Sequence, residues 1–339
     1  MKDQLLNIIN SKIHHHCWSL TYKRLYTSLA FAQPCDVFCL IGPSRSGKSS
    51  VMRQVAQEVT DRGNDESVGN SISLIATNCS TDGRFSTKAF TINALTAINH
   101  PFYSFNIDSL GDDVIKLTNR LSRTNETALR TALEASLKHH KIKYLIIDEV
   151  QHVLYCKSKG STTPRAILDS WKSLAQECKL TLILIGTYEV LNLVLTSTHL
   201  IGRTSFIHMP RYKNSQEELP HFKEILTSYD HLLGIEHNLL SSNLKFIYEH
   251  TLGCIGHLNK WLRRALEESI VLNKPIDMEI LKFTRRTKNE LDSILEEIQL
   301  GELMYLQSKK TIGQITSKNN NPFSVKPQRF HSDSRLKGK

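Results

Sequence analysis

The residues best placed to carry chemistry are a lysine and a serine at the end of a glycine-bounded loop. Residues 36–50 read DVFCLIGPSRSGKSS, in which Gly42 and Gly47 bracket four residues and Lys48 and Ser49 follow. Such glycines let backbone N–H groups surround an anion, while the lysine reaches the terminal phosphates and the hydroxyl binds Mg²⁺. The pattern predicts a Walker A phosphate loop that binds ATP and magnesium. We expect its contacts from Gly42, Pro43, Ser44, Arg45, Ser46, Gly47, Lys48, Ser49 and Ser50.

Two carboxylates and a hydroxyl follow later apolar runs. Asp148 and Glu149 come directly after the run 144–147, as in a Walker B strand end. We expect Asp148 to hold magnesium through water and Glu149 to polarise an attacking water. Thr187 follows the run 180–185 and would lie between the two Walker elements in a doubly wound sheet, where it could sense the γ-phosphate.

Arg203 precedes a further apolar run, 205–209. An arginine there is suited to act in trans, as a finger offered to the nucleotide of a neighbouring subunit. A surface ion pair is the alternative.

The elements that must position these residues form an alternating pattern. The apolar runs predict five parallel strands separated by helices, which indicates an α/β fold with a doubly wound sheet. Beyond residue 210 the periodicity becomes helical in four segments, 216–229, 239–250, 256–272 and 276–299. We therefore expect a helical extension over 1–35, a nucleotide-binding domain over 36–210, a helical lid over 211–300 and a disordered basic tail over 301–339.

Composition and charge limit the function classes. The net charge is +10, and residues 308–339 contribute +7 of it, which favours contact with nucleic acid or a partner for this tail. No apolar run is long enough to span a membrane, and the seven cysteines are scattered, as in a reduced cytoplasmic protein. His14, His15 and His16 cannot share one helix face, so we expect surface histidines rather than a metal site.

Two cations are candidates for DNA contact. Arg84 and Lys88 lie at the start of a helix predicted within 80–104. The helix dipole disfavours cations at that end, so a bound anion would explain their position. Solvated surface charge is the alternative reading.

Five segments together resemble one protein family. These are GPSRSGKSS, YLIIDEVQH, LILIGT, IGRTSF and TLGCIGHLNKWLRRALEESI. The chain resembles the TnsC/TniB family of AAA+ ATPases, regulators of transposons that use a DDE transposase, RNA-guided ones among them. The resemblance implies an AAA+ P-loop NTPase fold, a five-stranded sheet and a small helical lid.

The resemblance also implies partners and residue roles. It implies a bacterial, cytoplasmic, DNA-associated protein that assembles as a ring or filament on double-stranded DNA and hydrolyses ATP. It would link a TniQ-type target-selection protein to the transposase. Thr187 would be the sensor and Arg203 the finger. His257 stands near the place where many lids present an arginine to the nucleotide, so the resemblance implies that His257 contacts the nucleotide there. Arg263 and Arg264 come two turns later.

Two other classes share these motifs. A switch-type signalling NTPase has the same loop and lid but normally carries a long repeat sensor after the lid. A scaffold that binds ATP only to assemble would keep Lys48 and could dispense with Glu149. Phosphate release with and without duplex DNA separates the three classes.

Overall fold

The structure is a computed structural model that describes residues 14–61, 70–75, 84–104, 112–156, 163–195 and 204–318. The helix expected around residues 5–9 lies outside these ranges. Within them, no helix is both long enough and apolar enough to cross a membrane.

Five parallel strands form one sheet in the order β2-β3-β4-β1-β5. β1 lies between β4 and β5, and all five of its residues are buried, as expected of a central parallel strand covered on both faces. The strands are β1 (Val37–Ile41), β2 (Asn70–Ile75), β3 (Ile142–Asp148), β4 (Thr181–Gly186) and β5 (Thr204–His208). The predicted five-stranded α/β architecture is confirmed.

The sheet separates two hydrophobic cores because successive side chains point to opposite faces. Cys39 and Ile41 belong to one core, and Phe38 and Leu40 belong to the other. The helices before β5 are α1 (His16–Ala30), α2 (Lys48–Asp61), α3 (Thr87–Ala97), α4 (Asp112–Arg123), α5 (Glu126–His139), α6 (Pro164–Cys178) and α7 (Glu189–Leu195). A 3₁₀ turn, Val150–Tyr155, follows β3.

The lid helices after β5 enclose a third core, built around Phe222, Trp261 and Leu262. They are α8 (Leu219–Leu233), α9 (Leu239–Ser242), α10 (Leu244–Thr251), α11 (Ile255–Leu272), α12 (Met278–Thr284) and α13 (Lys288–Lys318). The segment predicted as a helix over 276–299 is two helices, because Arg285 is extended (ψ 163°) and interrupts it.

Helix α13 corrects the expected tail. It continues to Lys318, so disorder from residue 301 is wrong for residues 301–318. Tyr305 is buried against His208 with ring centroids 4.3 Å apart, and a Cβ on Gly301 would lie 2.2 Å from the Tyr188 ring. Packing of this helix face against the end of the sheet stabilises the extra turns. Residues 319–339 lie outside the described ranges.

The expectation that all three adjacent histidines lie at the surface is wrong for His15. His15 is buried, and its Nδ1 lies 2.9 Å from the Tyr212 hydroxyl and accepts from the Trp18 backbone N–H. Burial lowers the pKa of His15 to about 4, so the ring is neutral at physiological pH. The residue expected at the surface joins α1 to the lid.

Candidate nucleotide-binding site

The phosphate loop leaves the carboxyl end of β1 and runs directly into α2. Gly42 is required by packing, because a Cβ there would lie 2.2 Å from the Met209 carbonyl oxygen. Gly47 has a φ of 106°, which favours glycine, and Arg45 also takes a left-handed φ of 61°. This turn aims the loop and the amino-terminal end of α2 at one point, as an anion site requires.

Lys48 lies inside this loop. Its Nζ donates hydrogen bonds to the carbonyl oxygens of Gly42, at 3.0 Å, and Pro43, at 2.7 Å. Burial lowers the pKa of Lys48 to about 8, and the nearby Glu149 and Asp148 carboxylates oppose the shift. A desolvated ammonium held only by neutral carbonyls is prepared to bind phosphate oxygens instead.

The two Walker B carboxylates lie at the end of β3, near enough to Lys48 to act on its charge. Asp148 Oδ1 accepts a hydrogen bond of 2.8 Å from the Glu149 backbone N–H. Glu149 has left the strand and has a left-handed φ of 54°. The hydroxyl of Ser49 and the carboxylate of Asp148 are the hard oxygen donors that Mg²⁺ prefers, so this donor set fits magnesium.

Gln151 is a site residue that the sequence analysis missed. Its Nε2 donates to Glu149 Oε2, and its Oε1 accepts a 3.3 Å hydrogen bond from the Thr187 backbone N–H. Gly186 leaves room for this side chain, because a Cβ there would lie 2.5 Å from Gln151 Oε1. The amide therefore joins the carboxylate expected to act on water to the tip of β4, where Thr187 lies.

Thr187 is placed as expected, directly beyond β4. Its hydroxyl donates to Glu189 Oε2 at 3.4 Å, which orients it beside the loop that leads into α7. Arg203 lies outside the described residues, so its role stays a prediction.

A cleft of about 610 Å³ adjoins the phosphate loop. Its walls come from α1, the loop itself and the lid helix α11. Gly256 at the start of α11 is fixed on the loop, since its N–H donates to the Arg45 carbonyl oxygen at 2.9 Å and a Cβ would overlap that oxygen. The cleft is lined by, among others, Trp18, Arg45, Ser46, Gly47, Asn259, Lys260, Arg263 and Arg264.

Unpartnered polar atoms point to a ligand in this cleft. Ser46 Oγ and the Nε atoms of Arg263 and Arg264 are buried and make no hydrogen bond within the described part of the chain. Buried donors of this kind carry a desolvation cost that an anionic ligand would remove. The two arginines that follow the lid motif thus share a cleft with the phosphate loop, although their distance along the sequence did not suggest it.

His257 is placed differently from its expected role. It is buried and does not line the cleft, and its Nδ1 lies 3.5 Å from an Nη atom of Arg286. Burial and the neighbouring Arg286 lower the pKa of His257 to about 4, so it is neutral. Its Nε2 is buried and makes no hydrogen bond within the described residues, and the neutral ring supplies no positive charge. A contact between His257 and the nucleotide stays a prediction.

The candidate DNA residues lie where α3 meets the end of α4. Lys88 donates from Nζ to the Ser122 carbonyl oxygen at 3.0 Å, and Arg84 is exposed just before α3. Lys88 therefore compensates the carboxyl end of α4, which explains a cation at the start of α3 without a bound anion. Arg120 and Arg123 are also exposed on this face, and the sequence analysis missed them because it assigned no helix to 112–123.

The strand order, the loop and the carboxylates at the end of β3 decide the fold. The chain has the AAA+ P-loop fold. Residues 32–194 match the family model of an AAA domain. The structure resembles the Aeropyrum pernix ORC2 protein in its ADPNP–ADP complexes, at 13% identity and a TM-score of 0.53, covering 80% of this chain and 67% of that protein.

Two further structures show the same fold. A Walker-type ATPase of Pyrococcus abyssi is 17% identical with a TM-score of 0.51, over 86% of this chain and 75% of that one. Drosophila ORC bound to DNA is 12% identical with a TM-score of 0.50, over 83% of this chain and 64% of that one. A comparison with curated protein sequences finds no match.

Proposed function

We propose that this protein is a magnesium-dependent ATPase that assembles on double-stranded DNA and regulates transposition. The observation that carries the ATPase proposal is the convergence of a desolvated lysine, two carboxylates and unpartnered arginine donors around one glycine-bounded loop. Each group answers a different need of phosphoryl transfer, which depends on positioning and charge stabilisation.

Each residue of the site has a separate role in ATP binding or hydrolysis. Lys48 exchanges its two carbonyl partners for phosphate oxygens, and Ser46 Oγ with the loop N–H groups completes the cradle. Ser49 and Asp148 would hold magnesium, which would supply positive charge to the phosphates. Glu149, held by Gln151, accepts the proton of the attacking water.

The lid and α1 complete the nucleotide site. Arg263 and Arg264 supply donors from α11 to the phosphates. Trp18 also lines the cleft, and its ring stacks with His14 and Tyr22, so α1 closes this side of the site. Because α1, the loop and the lid all contact the ligand, occupancy couples the two parts of the chain.

The DNA-binding part of the proposal rests on charge and on the family resemblance. Arg84, Arg120 and Arg123 are exposed at the junction of α3 and α4, and Lys88, which is partly exposed and donates to the end of α4, adds to the positive charge there. We call these four residues the basic face. Cations repeated once per subunit around a duplex bind its phosphates without reading sequence. A protein of the same fold, Drosophila ORC, is seen bound to DNA.

Assembly and partners follow from the resemblance to TnsC/TniB proteins. We propose a ring or filament in which Arg203 of one subunit reaches the nucleotide of its neighbour. A TniQ-type target-selection protein and the transposase are the proposed partners.

ATP-dependent assembly on duplex DNA tests the proposal, read by analytical ultracentrifugation and electron microscopy. Arg123→Glu should weaken assembly, because it reverses a charge on the basic face, whereas the exposed lid residue Lys223 gives a matched control as Lys223→Glu. An equal loss of assembly in both variants would mean that only the net charge matters, and it would refute the assignment of DNA binding to the basic face.

Mixing two inactive variants tests the contact between subunits. An interface between Arg203→Ala and Glu149→Gln subunits can pair an intact Glu149 with an intact Arg203, so the mixture should regain hydrolysis. No recovery despite proven co-assembly would assign Arg203 to an ion pair.

A further inference from the structure

A second cleft, of about 770 Å³, lies in the lid between α10, α12 and the start of α13. We call it the basic cleft. Its floor is apolar, with Leu252, Leu291 and Leu295, and its rim carries Lys282, Arg285 and Lys288. Glu249 and Asp292 also line it. An apolar floor with a cationic rim fits a ligand that is both apolar and acidic.

The rim cations are available. Arg286 pairs with Glu290 at 3.6 Å, whereas the side chains of Lys282, Arg285 and Lys288 are exposed and make no hydrogen bond or ion pair within the described ranges. Phe283, between two of them in sequence, is 75% exposed. The basic cleft thus has unpaired positive charge beside exposed apolar surface.

The complementary surface lies farther along α13, and we call it the leucine face. Leu300, Leu303 and Leu306 are 61%, 56% and 50% exposed, and Glu296 one turn earlier is exposed as well. The opposite side of the helix is buried at Ile298 and Tyr305, so the described chain leaves the leucine side uncovered. Exposed apolar side chains at helical spacing mark an interaction surface.

The sign of the charge changes along this part of the chain. Residues 282–288 contain four Lys or Arg and no acid, while residues 289–308 contain five acids and no Lys or Arg. Among the described residues, only Arg286 and Glu290 pair across this division. Glu302 pairs with Arg211, which leaves Glu296 and Glu297 exposed beside the leucine face without an ion pair among the described residues, as Lys282, Arg285 and Lys288 are at the cleft. These acids and the cations of the cleft can therefore pair between two molecules.

We propose that the basic cleft of one copy binds the leucine face of a second copy. The tail of the chain itself does not fit the cleft, because residues 319–339 carry five Lys or Arg and one acid and the rim repels them. Nucleic acid would satisfy the rim but not bury the leucines of the floor. Since the two surfaces differ, the contact is heterologous and can extend into a chain or close into a ring.

This contact involves neither the nucleotide nor DNA, so sedimentation velocity without either ligand tests it independently of the proposed function. The wild-type protein should self-associate, and Leu303→Glu should weaken the association by at least roughly tenfold. Val271→Glu is the matched control, because Val271 is 77% exposed on α11 and outside both surfaces. A wild-type protein that stays monomeric at every concentration, or equal loss in both variants, overturns the proposal.

The cleft is tested by Lys282→Glu/Arg285→Glu, with Lys223→Glu as control. The double variant alone should dissociate, and added salt should weaken the wild-type contact. Mixed with Leu303→Glu, it should form a one-to-one dimer and nothing larger, since one intact cleft then meets one intact leucine face. Absence of the mixed dimer overturns the proposal.

Two further readouts keep these results interpretable. ATP affinity should be unchanged in all variants, which separates a lost contact from a damaged fold, and Leu303→Gln replaces Leu303→Glu if the latter fails to fold. If the cleft variant loses duplex DNA binding yet still self-associates, the cleft belongs to nucleic acid and the proposal is wrong.

Discussion

Gln151 offers a sharp test of how the carboxylate is positioned. The side chain is buried and makes two hydrogen bonds, one to the Glu149 carboxylate and one from the Thr187 backbone N–H. Gln151→Met keeps the length of the side chain but removes both. If Gln151 orients Glu149 toward the attacking water, hydrolysis should slow while ATP binding is preserved.

The expected fall in rate can be calculated from the hydrogen bond between Gln151 and the Glu149 carboxylate. A hydrogen bond to a charged group is worth about 1.5–3 kcal/mol. If the loss of this hydrogen bond raises the activation free energy by the same amount, the hydrolysis rate of Gln151→Met should fall by roughly 10- to 150-fold. The Thr187 N–H would also lose its partner, which should lower the stability by about 1–3 kcal/mol.

Single-turnover hydrolysis with saturating ATP and magnesium measures the rate, and equilibrium titration measures the affinity. Gln151→Glu is an informative companion, because a second carboxylate beside Glu149 should raise the apparent pKa of the pair and displace the pH–rate profile. A rate within twofold of wild type in Gln151→Met, at full folding, would refute the positioning role. A parallel fall in affinity and rate would instead mark Gln151 as a structural residue of the loop.

Three other predictions concern the loop and the helix ends. ATP affinity should fall as the pH rises above about 8, the pKa of Lys48, because only the ammonium form of this side chain binds phosphate. ATP binding should therefore take up protons above this pKa and none well below it. Calorimetry in buffers of different ionisation enthalpy measures this proton uptake. Gly42→Ala should lower both stability, by about 1–3 kcal/mol, and ATP affinity, because the new methyl group meets the Met209 carbonyl oxygen; unchanged melting would contradict this packing. Truncation after Lys318 should leave the melting temperature unchanged, whereas truncation before Gly301 should lower it by exposing the end of the sheet; equal melting temperatures would contradict the docking of α13.

Local sequence was enough to predict the sheet and the phosphate loop. Buried parallel strands are continuous apolar runs, and the positions of Gly42 and Gly47 indicate the conformation of the loop. The position of Asp148 could be predicted for the same reason, since it ends such a run. These features depend on neighbours along the chain, so the sequence displays them directly.

The features that sequence did not predict depend on contacts between distant segments. Gln151 acquires its role because Gly186, on another strand, leaves room for its amide. Arg263 and Arg264 line the nucleotide cleft because Gly256 fixes the start of α11 on Arg45, which directs the helix along the cleft.

Helix α13 was cut short in the prediction for a related reason. Its charged sequence gives no sign of the long-range contacts that hold it, among them the stacking of Tyr305 on His208. Arg211 pairs with Glu302 at 2.9 Å, and Gly301 packs against Tyr188. The single signal available was Gly301 itself, a small residue within a helical pattern, which often marks close packing.

Phosphate release is the most direct test of the central claim, that one ATP site is built from Lys48, Asp148 and Glu149. The assay compares wild type, Lys48→Ala, Glu149→Gln and the exposed α2 control Arg53→Ala, with magnesium and with or without duplex DNA. We predict turnover in wild type and Arg53→Ala, no ATP binding by Lys48→Ala, and ATP bound but not hydrolysed by Glu149→Gln. Hydrolysis by Glu149→Gln at the wild-type rate, or unchanged ATP affinity in Lys48→Ala, would contradict the account.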